Sequence, residues 1–184
     1  SEESLALVNA RKSLGAALVS DRKFKEADDV FTEMKIGIDK QAAGERKIPA
    51  MDLDWVIAML KLGKNTSAEE MTEAMLSAAT KQSNVSEDRL NYLQAFNAMA
   101  IHATGKDDRA REMYRKVMPK LIDRVRNEAE NQTGSTKQQE RSVLILEDNI
   151  SLLAKQSKTH PQIAAQVAAE AYSLADLARG SSVQ

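Results

Sequence analysis

Apolar residues recur along the chain at intervals of three and four, which is the spacing of one face of a helix. This pattern predicts eight helical segments, at about residues 2–20, 23–42, 50–62, 68–82, 87–104, 107–131, 137–157 and 161–179. No stretch alternates apolar and polar residues as a half-buried strand would. The pattern therefore predicts an all-α protein.

Residues that favour helix ends fall at these boundaries. Ser67 and Ser135 are each followed three residues later by Glu or Gln, the spacing of a capping box, and Ser86 is followed by two acidic residues. Gly105 and Gly180 are placed where a helix is expected to stop. Because stops and starts lie only a few residues apart, consecutive helices are expected to pack antiparallel. The predicted hairpins are at about 2–42, 50–82, 87–131 and 137–179.

Composition narrows the possible classes further. Seven Gly and three Pro in 184 residues leave little room for a β-rich fold, and the absence of Cys excludes disulfides and thiolate metal sites. The 26 basic and 27 acidic residues are interspersed, so the chain has no overall field that would attract nucleic acid or an anionic membrane. The longest uninterrupted apolar run, Trp55 to Leu60, is too short to span a bilayer. No membrane association is expected.

Catalytic and metal-binding patterns are missing from the sequence. The two histidines, His102 and His160, have no spaced carboxylates or further histidines that would complete a metal site. The acidic pairs at 28–29 and 107–108 are each interpreted as first-turn residues, which the helix dipole favours without any function. We therefore predict that the chain is not an enzyme and needs no cofactor or metal.

Three segments carry the spacing of a known helical repeat. Residues 8–41 place Leu14, Gly15, Leu18, Ala27 and Phe31 at the signature positions of a tetratricopeptide repeat, which this segment resembles. Residues 52–85 resemble it through Trp55 and Leu62, with Met71 where a small residue is usual, and residues 91–124 through Ala98, Ile101, Ala110 and Tyr114. The gaps between these segments break a strict tandem period. The resemblance implies one domain over residues 1–184, a right-handed α-solenoid of about four antiparallel hairpins.

A second resemblance concerns the end of the chain. Residues 170–180 look like the helix that links divergent repeats to a following CHAT domain in bacterial proteins. CHAT domains are caspase-like peptidases, and their catalytic His and Cys are not in this chain, which has no Cys. This resemblance implies the regulatory or substrate-docking region of a larger peptidase.

The repeat resemblance implies a non-catalytic scaffold that binds a peptide or a partner domain. In such repeats the first helix of each hairpin lines the concave face, which here is predicted to present Asn9, Lys12, Val19, Val56, Leu60, Tyr92, Met99 and His102. Because apolar residues predominate, we expect an amphipathic helix or an extended segment with aliphatic anchors as the ligand. An equally weighted alternative is that Val56, Leu60, Tyr92 and Met99 are core between neighbouring hairpins.

A nucleic-acid-binding repeat is a further alternative. It would use the basic residues of the sixth helix, Arg109, Arg111, Arg115, Lys116, Lys120, Arg124 and Arg126. These residues spread around the helix, and only Tyr114 is available to stack on a base, so a solvated face or a surface for an acidic partner is favoured. No nucleic acid is expected as a partner.

The first residue bears on the compartment. The chain begins at Ser1 without an initiator Met, which we interpret as trimming, and no signal-peptide pattern opens it. A cytoplasmic location is favoured, with a removed signal peptide as the alternative.

Overall fold

A computed structural model of the chain describes residues 5–39, 51–131 and 135–182. Helices cover 88% of these residues and no strand occurs among them, which confirms the all-α prediction. In chain order the helices are α1 (Leu5–Ser20), α2 (Phe24–Asp39), α3 (Leu53–Lys61), α4 (Asn65–Thr80), α5 (Glu87–Ala103), α6 (Asp107–Asn131), α7 (Thr136–Thr159) and α8 (Ala164–Ser182), with a short 3₁₀ helix (Pro161–Ile163) before α8. The predicted helix ends at positions 2, 42 and 50 lie outside the described residues.

The chain divides into two compact units, residues 1–77 and 78–184. In the first unit, α1 packs on α2 and both contact α3. In the second unit, α5 packs on α6 and α7 packs on α8, while α7 also contacts α5 and α6. The single continuous domain and the solenoid of four hairpins stay predictions.

Two of the predicted helix starts are confirmed in atomic detail. The hydroxyl of Ser86 accepts a hydrogen bond from the Arg89 N–H, and that of Ser135 accepts one from the Gln138 N–H, both at 3.3 Å. The start predicted at Ser67 is wrong, because α4 begins two residues earlier at Asn65. The predicted stop at Gly180 is also wrong, since α8 continues to Ser182.

The same three-residue turn connects α1 to α2, α3 to α4 and α5 to α6. In each turn the last N–H reaches back to a carbonyl in the final turn of the preceding helix; the pairs are Lys23 to Leu18 (2.8 Å), Lys64 to Met59 (2.8 Å) and Lys106 to Ile101 (3.3 Å). The middle residue is left-handed, with φ of 59° at Arg22, 73° at Gly63 and 80° at Gly105. This is the Schellman arrangement, and we call these connections the left-handed turns. The expected helix stop at Gly105 is confirmed.

Buried positions repeat relative to the left-handed turns. An alanine follows four residues after each turn, and a larger residue follows four residues later; these positions are Ala27 and Phe31, Ala68 and Thr72, and Ala110 and Tyr114, all fully buried. In the second repeat the buried small residue is therefore Ala68, three residues before Met71. These buried positions lie three residues earlier than the alignment of residues 52–85, which places the small residue at Met71.

A close approach of α1 and α2 explains the glycine at position 15. A Cβ atom on Gly15 would lie only 2.6 Å from Cζ of Phe31, which is fully buried. The Phe31 ring in turn stacks on Trp55 of α3, with ring centroids 5.7 Å apart and planes 16° from parallel. The phenyl ring therefore occupies the space that any larger residue at position 15 would need.

Asp28 joins three parts of the first unit. Its carboxylate accepts a hydrogen bond of 2.9 Å from the indole Nε1 of Trp55 and one of 2.5 Å from Nζ of Lys64, the last residue of a left-handed turn. The interpretation of Asp28 as a first-turn residue is wrong, because α2 begins at Phe24 and Asp28 is buried in its second turn. Only its neighbour Asp29 is exposed, paired with Lys25 one helical turn earlier.

At the left-handed residue of each turn, glycine should be more stable than a residue with a side chain. Arg22→Gly should raise the free energy of unfolding by about 0.5–1 kcal/mol, because glycine adopts positive φ without the Cβ clash. Gly63→Ala and Gly105→Ala should each lower it by about 1 kcal/mol, although no atom would lie within 4 Å of either new Cβ. Denaturant unfolding followed by circular dichroism measures all three. Lys23→Gly is the control and should destabilise, so stabilisation by both glycines would contradict the turn geometry.

The Asp28 contacts predict a large difference between two adjacent carboxylates. Asp28→Ala should lower the free energy of unfolding by about 1–3 kcal/mol, because it leaves the buried Trp55 N–H without an acceptor. Asp29→Ala should change it by less than about 0.5 kcal/mol, as for other exposed ion pairs. Trp55 is the only tryptophan in the sequence, so its fluorescence reports the unfolding of this unit. Equal effects of the two substitutions would refute the role given to Asp28.

Candidate functional site

One carboxylate on α7 binds side chains from two other helices. Oδ1 of Asp148 lies 2.9 Å from Nδ1 of His102, in the last turn of α5, and Oδ2 accepts a hydrogen bond of 2.7 Å from the hydroxyl of Tyr114 on α6. The His102 and Asp148 side chains are 14% and 20% exposed, and Tyr114 is fully buried. These three residues, the His102 cluster, link α5, α6 and α7 through polar contacts.

The His102 cluster favours one protonation state for each of its side chains. The hydrogen bond to Asp148 raises the pKa of His102 above its usual 6.5, against the opposing effect of burial, and the charges of Asp148 and Asp107 add to the increase. Burial raises the pKa of the Tyr114 phenol well above 10.0, and the Asp148 carboxylate adds to this effect. The cluster therefore favours a charged imidazolium and a neutral phenol that donates to the carboxylate.

The Tyr114 hydroxyl is not placed as a nucleophile for the His102 imidazole. A carboxylate that orients an imidazole is one half of a general-base arrangement, which also needs a nucleophile within reach of the ring. The Tyr114 hydroxyl bonds to the carboxylate instead of the imidazole and stays protonated. The contacts thus act as a tie between helices. His102 is a candidate residue from the sequence, whereas Asp148 carries no local signal there, because 46 residues separate the two.

An open pocket of about 570 Å³ lies in the second unit where α6 begins and α7 ends. It is lined by residues 105–109 together with Gln156, Thr159 and His160. Its volume is in the range of ligand pockets, but its lining residues include no aliphatic side chain and a single ring, the imidazole of His160. Asp107 and Asp108 begin α6 here, as predicted, and Asp107 pairs with Lys155 at 2.5 Å. No group of three potential ligands for a metal ion occurs in the described ranges.

Most of the basic side chains on α6 have acidic partners. The buried guanidinium of Arg111 forms two hydrogen bonds, of 2.8 and 2.5 Å, to the carboxylate of Glu170 on α8. Further ion pairs join Lys116 to Glu112, Lys120 to Glu87 and Arg124 to Glu128. Four of the seven basic residues that would bind a phosphate backbone are therefore already neutralised by carboxylates.

The predicted concave-face residues of the first unit differ in exposure. Asn9 is exposed, Lys12 forms an ion pair of 3.1 Å with Asp52, and Val19 and Leu60 are half-buried. Val56 is fully buried. A residue without exposed surface is not available to a ligand, so its burial favours the alternative in which Val56 is core.

The predicted residues of the second unit are mostly covered as well. Tyr92 and Met99 are 9% and 7% exposed. The Tyr92 ring lies edge-on to Phe96 with centroids 5.4 Å apart, and the guanidinium of Arg124 lies 5.4 Å from its centroid. Burial raises the pKa of Tyr92 to about 12. These contacts favour a core role for Tyr92 and Met99, while His102 belongs to the cluster described above.

The left-handed turns reveal which of these residues are equivalent. Val19, Leu60 and His102 each supply the carbonyl that accepts the N–H of the left-handed residue, and all three side chains are half-buried. Val56 instead matches Gly15 and Ala98, each twelve residues before the buried alanine of its repeat. The same sequence positions, counted from the left-handed turns, therefore recur in both units.

No known protein family, curated protein or solved structure matches this chain. The resemblances to tetratricopeptide repeats and to the helix before a CHAT domain therefore rest on sequence motifs alone. Among the described helices, none has the length and apolar character needed to cross a membrane.

The His102 cluster predicts a pH-dependent contribution to stability. Because the pKa of His102 is raised in the folded state, its contribution is fully present below about pH 6.5 and is lost as the pH rises through the folded-state pKa. The difference in unfolding free energy between the wild type and His102→Gln should therefore shrink between about pH 5.5 and pH 8.5. Urea unfolding at each pH measures this difference.

Two further variants check the assignment to this cluster. Asp148→Asn removes the carboxylate and should reduce the same pH dependence. His160→Gln changes the other histidine, which is exposed and lies outside the cluster, and should leave it intact. The assignment fails if the pH dependence follows His160 instead.

Proposed function

We propose that this chain is a non-catalytic interaction module, a scaffold of tetratricopeptide-like helical repeats that binds a peptide or a partner domain. The observation that supports the proposal is the repetition of the left-handed turn with the same buried positions around it. Repeated helical units expose equivalent side chains in series, and such series form the extended binding surfaces of repeat proteins.

The first helices supply the proposed surface. Val19 and Leu60 occupy equivalent positions in the last turns of α1 and α3, and each keeps part of its aliphatic side chain accessible. An aliphatic surface of this kind suits an amphipathic helix or an extended peptide with aliphatic anchors. A carboxylate ligand is less favoured, because the nearby ammonium of Lys12 already pairs with Asp52.

The competing functions have less support. Binding of nucleic acid would require the basic residues of α6 to leave four carboxylate partners, at an electrostatic cost that phosphate contacts would have to offset. The role as a docking region of a caspase-like peptidase rests on the resemblance of residues 170–180 alone. We therefore rank peptide or protein binding first.

A displayed library of random peptides tests the proposal. The wild-type chain should enrich peptides with aliphatic anchors, and Leu60→Asp should weaken binding of the enriched peptides at least about tenfold, or about 1.4 kcal/mol. Ile36→Asp is the matched control, because Ile36 is a half-exposed aliphatic residue on α2 of the same unit, and it should bind like the wild type.

Trp55 fluorescence establishes whether each variant is folded, so that lost binding can be separated from unfolding. If Leu60→Asp unfolds, the milder Leu60→Gln replaces it in the same comparison. The proposal is refuted if no peptide is enriched, or if folded variants at position 60 bind as well as the wild type. Enrichment of acidic peptides whose binding disappears with salt would instead favour the basic face of α6.

A further inference from the structure

Few charged side chains lie on the surface of α1. The chain has 26 basic and 27 acidic residues, yet the helix sequence LALVNARKSLGAALVS contains only Arg11 and Lys12. Both are drawn to neighbouring elements, Arg11 to Glu33 on α2 at 3.7 Å and Lys12 to Asp52 at 3.1 Å. Charged residues are depleted where a surface is covered by a partner, so this face has the composition of an interface.

The equivalent parts of the other first helices are covered. Residues 54–59 of α3 and 96–101 of α5 are buried without exception. In α1 the equivalent residues are 13–18, of which only Gly15 is buried, and Leu14 is 52% exposed. The α1 helix therefore has the apolar composition of a buried helix, but one of its sides is exposed to solvent.

The size pattern on this face is complementary to itself. Leu7, Ala10, Leu14 and Ala17 follow one another at intervals of three, four and three, which places them along one seam of the helix. In an antiparallel pair centred on position 12, Leu7 lies opposite Ala17 and Ala10 lies opposite Leu14 of the second helix. Each large side chain then meets a small one, whereas a parallel pair would place leucine on leucine and leave alanine facing alanine.

From these observations we propose that α1 is a homodimer contact, in which the Leu7–Ala10–Leu14–Ala17 seam packs antiparallel on the same seam of a second copy about a two-fold axis. A seam without charge brings no like charges together when it meets itself. At 100° per residue it points away from Lys12 and Val19, so dimerisation is independent of the proposed peptide surface.

The dimer is expected to be weak. A helix of 16 residues is about 24 Å long, and one such contact is at the small end of specific interfaces. We expect a dissociation constant of roughly micromolar order, so the chain should change from monomer to dimer over an accessible concentration range.

Sedimentation equilibrium of the full chain, from micromolar to several hundred micromolar, provides the first test. The wild type should fit a monomer–dimer equilibrium, and Leu14→Lys should raise its dissociation constant at least tenfold. Ile36→Lys is the control, because Ile36 is 50% exposed and lies on α2; it should change the constant by less than twofold. Trp55 fluorescence and circular dichroism establish that each variant is folded, and Leu14→Gln replaces Leu14→Lys if the latter unfolds.

Cysteine cross-linking tests the register, because the natural chain contains no cysteine. Chains with Ala10→Cys mixed with chains with Leu14→Cys should form disulfide-linked dimers faster than either variant alone. Ile36→Cys should give only the slow background of random collision. Faster linkage of Ala10→Cys to itself would indicate a parallel pair and overturn the proposal.

Other outcomes also overturn the dimer. If the wild-type chain stays monomeric at several hundred micromolar, the face does not bind a second copy. Open-ended polymers would indicate a contact that does not close about a two-fold axis. A dimer that Leu14→Lys and Leu14→Gln leave unchanged uses another surface.

Discussion

A backbone residue at positive φ is the constraint on which the paired helices depend. The last carbonyls of a helix need donors, and in three connections the N–H of a left-handed residue and the N–H of the next residue supply them. The next helix begins at once, because the carbonyl of the last turn residue already accepts an N–H of that helix. The turn thus fixes which face of the second helix is directed at the first.

The buried side chains follow from this fixed geometry. Where the first helix carries Gly15 or Ala98, the equivalent position of the second carries an aromatic ring, Phe31 or Tyr114; where the first carries Val56, the second carries Thr72. All six residues are buried. A close-packed interior requires such compensation in volume, and a Cβ atom on Gly15 would lie only 2.6 Å from the Phe31 ring, so the larger ring leaves no space there.

The same compensation in volume explains which features of the fold were predictable from the sequence and which were not. Helical periodicity and serine caps depend on residues a few positions apart, so the all-α class and the starts at Ser86 and Ser135 were predictable. The buried positions of the second repeat were not predictable from the signature, because Val56 and Thr72 do not have its small and aromatic character and Trp55 suggests a register three residues later. Its buried indole is instead explained by Asp28, a partner that helix periodicity does not reveal.

Polar ties and exposed faces lie beyond single-sequence reasoning for a related reason. Asp28, Asp148 and Glu170 each bind a residue between 27 and 59 positions away, and in the sequence such carboxylates are indistinguishable from those on a solvated helix face. The face of α1 presents the converse case. The sequence shows that this face lacks charge, which is typical of a buried core face. Only the exposure of Leu14 in the folded chain shows that the face is unusual. The residue composition of a surface indicates whether it is suited to burial, and the structure shows whether it is buried. A surface that is suited to burial but exposed in the folded chain indicates an interface.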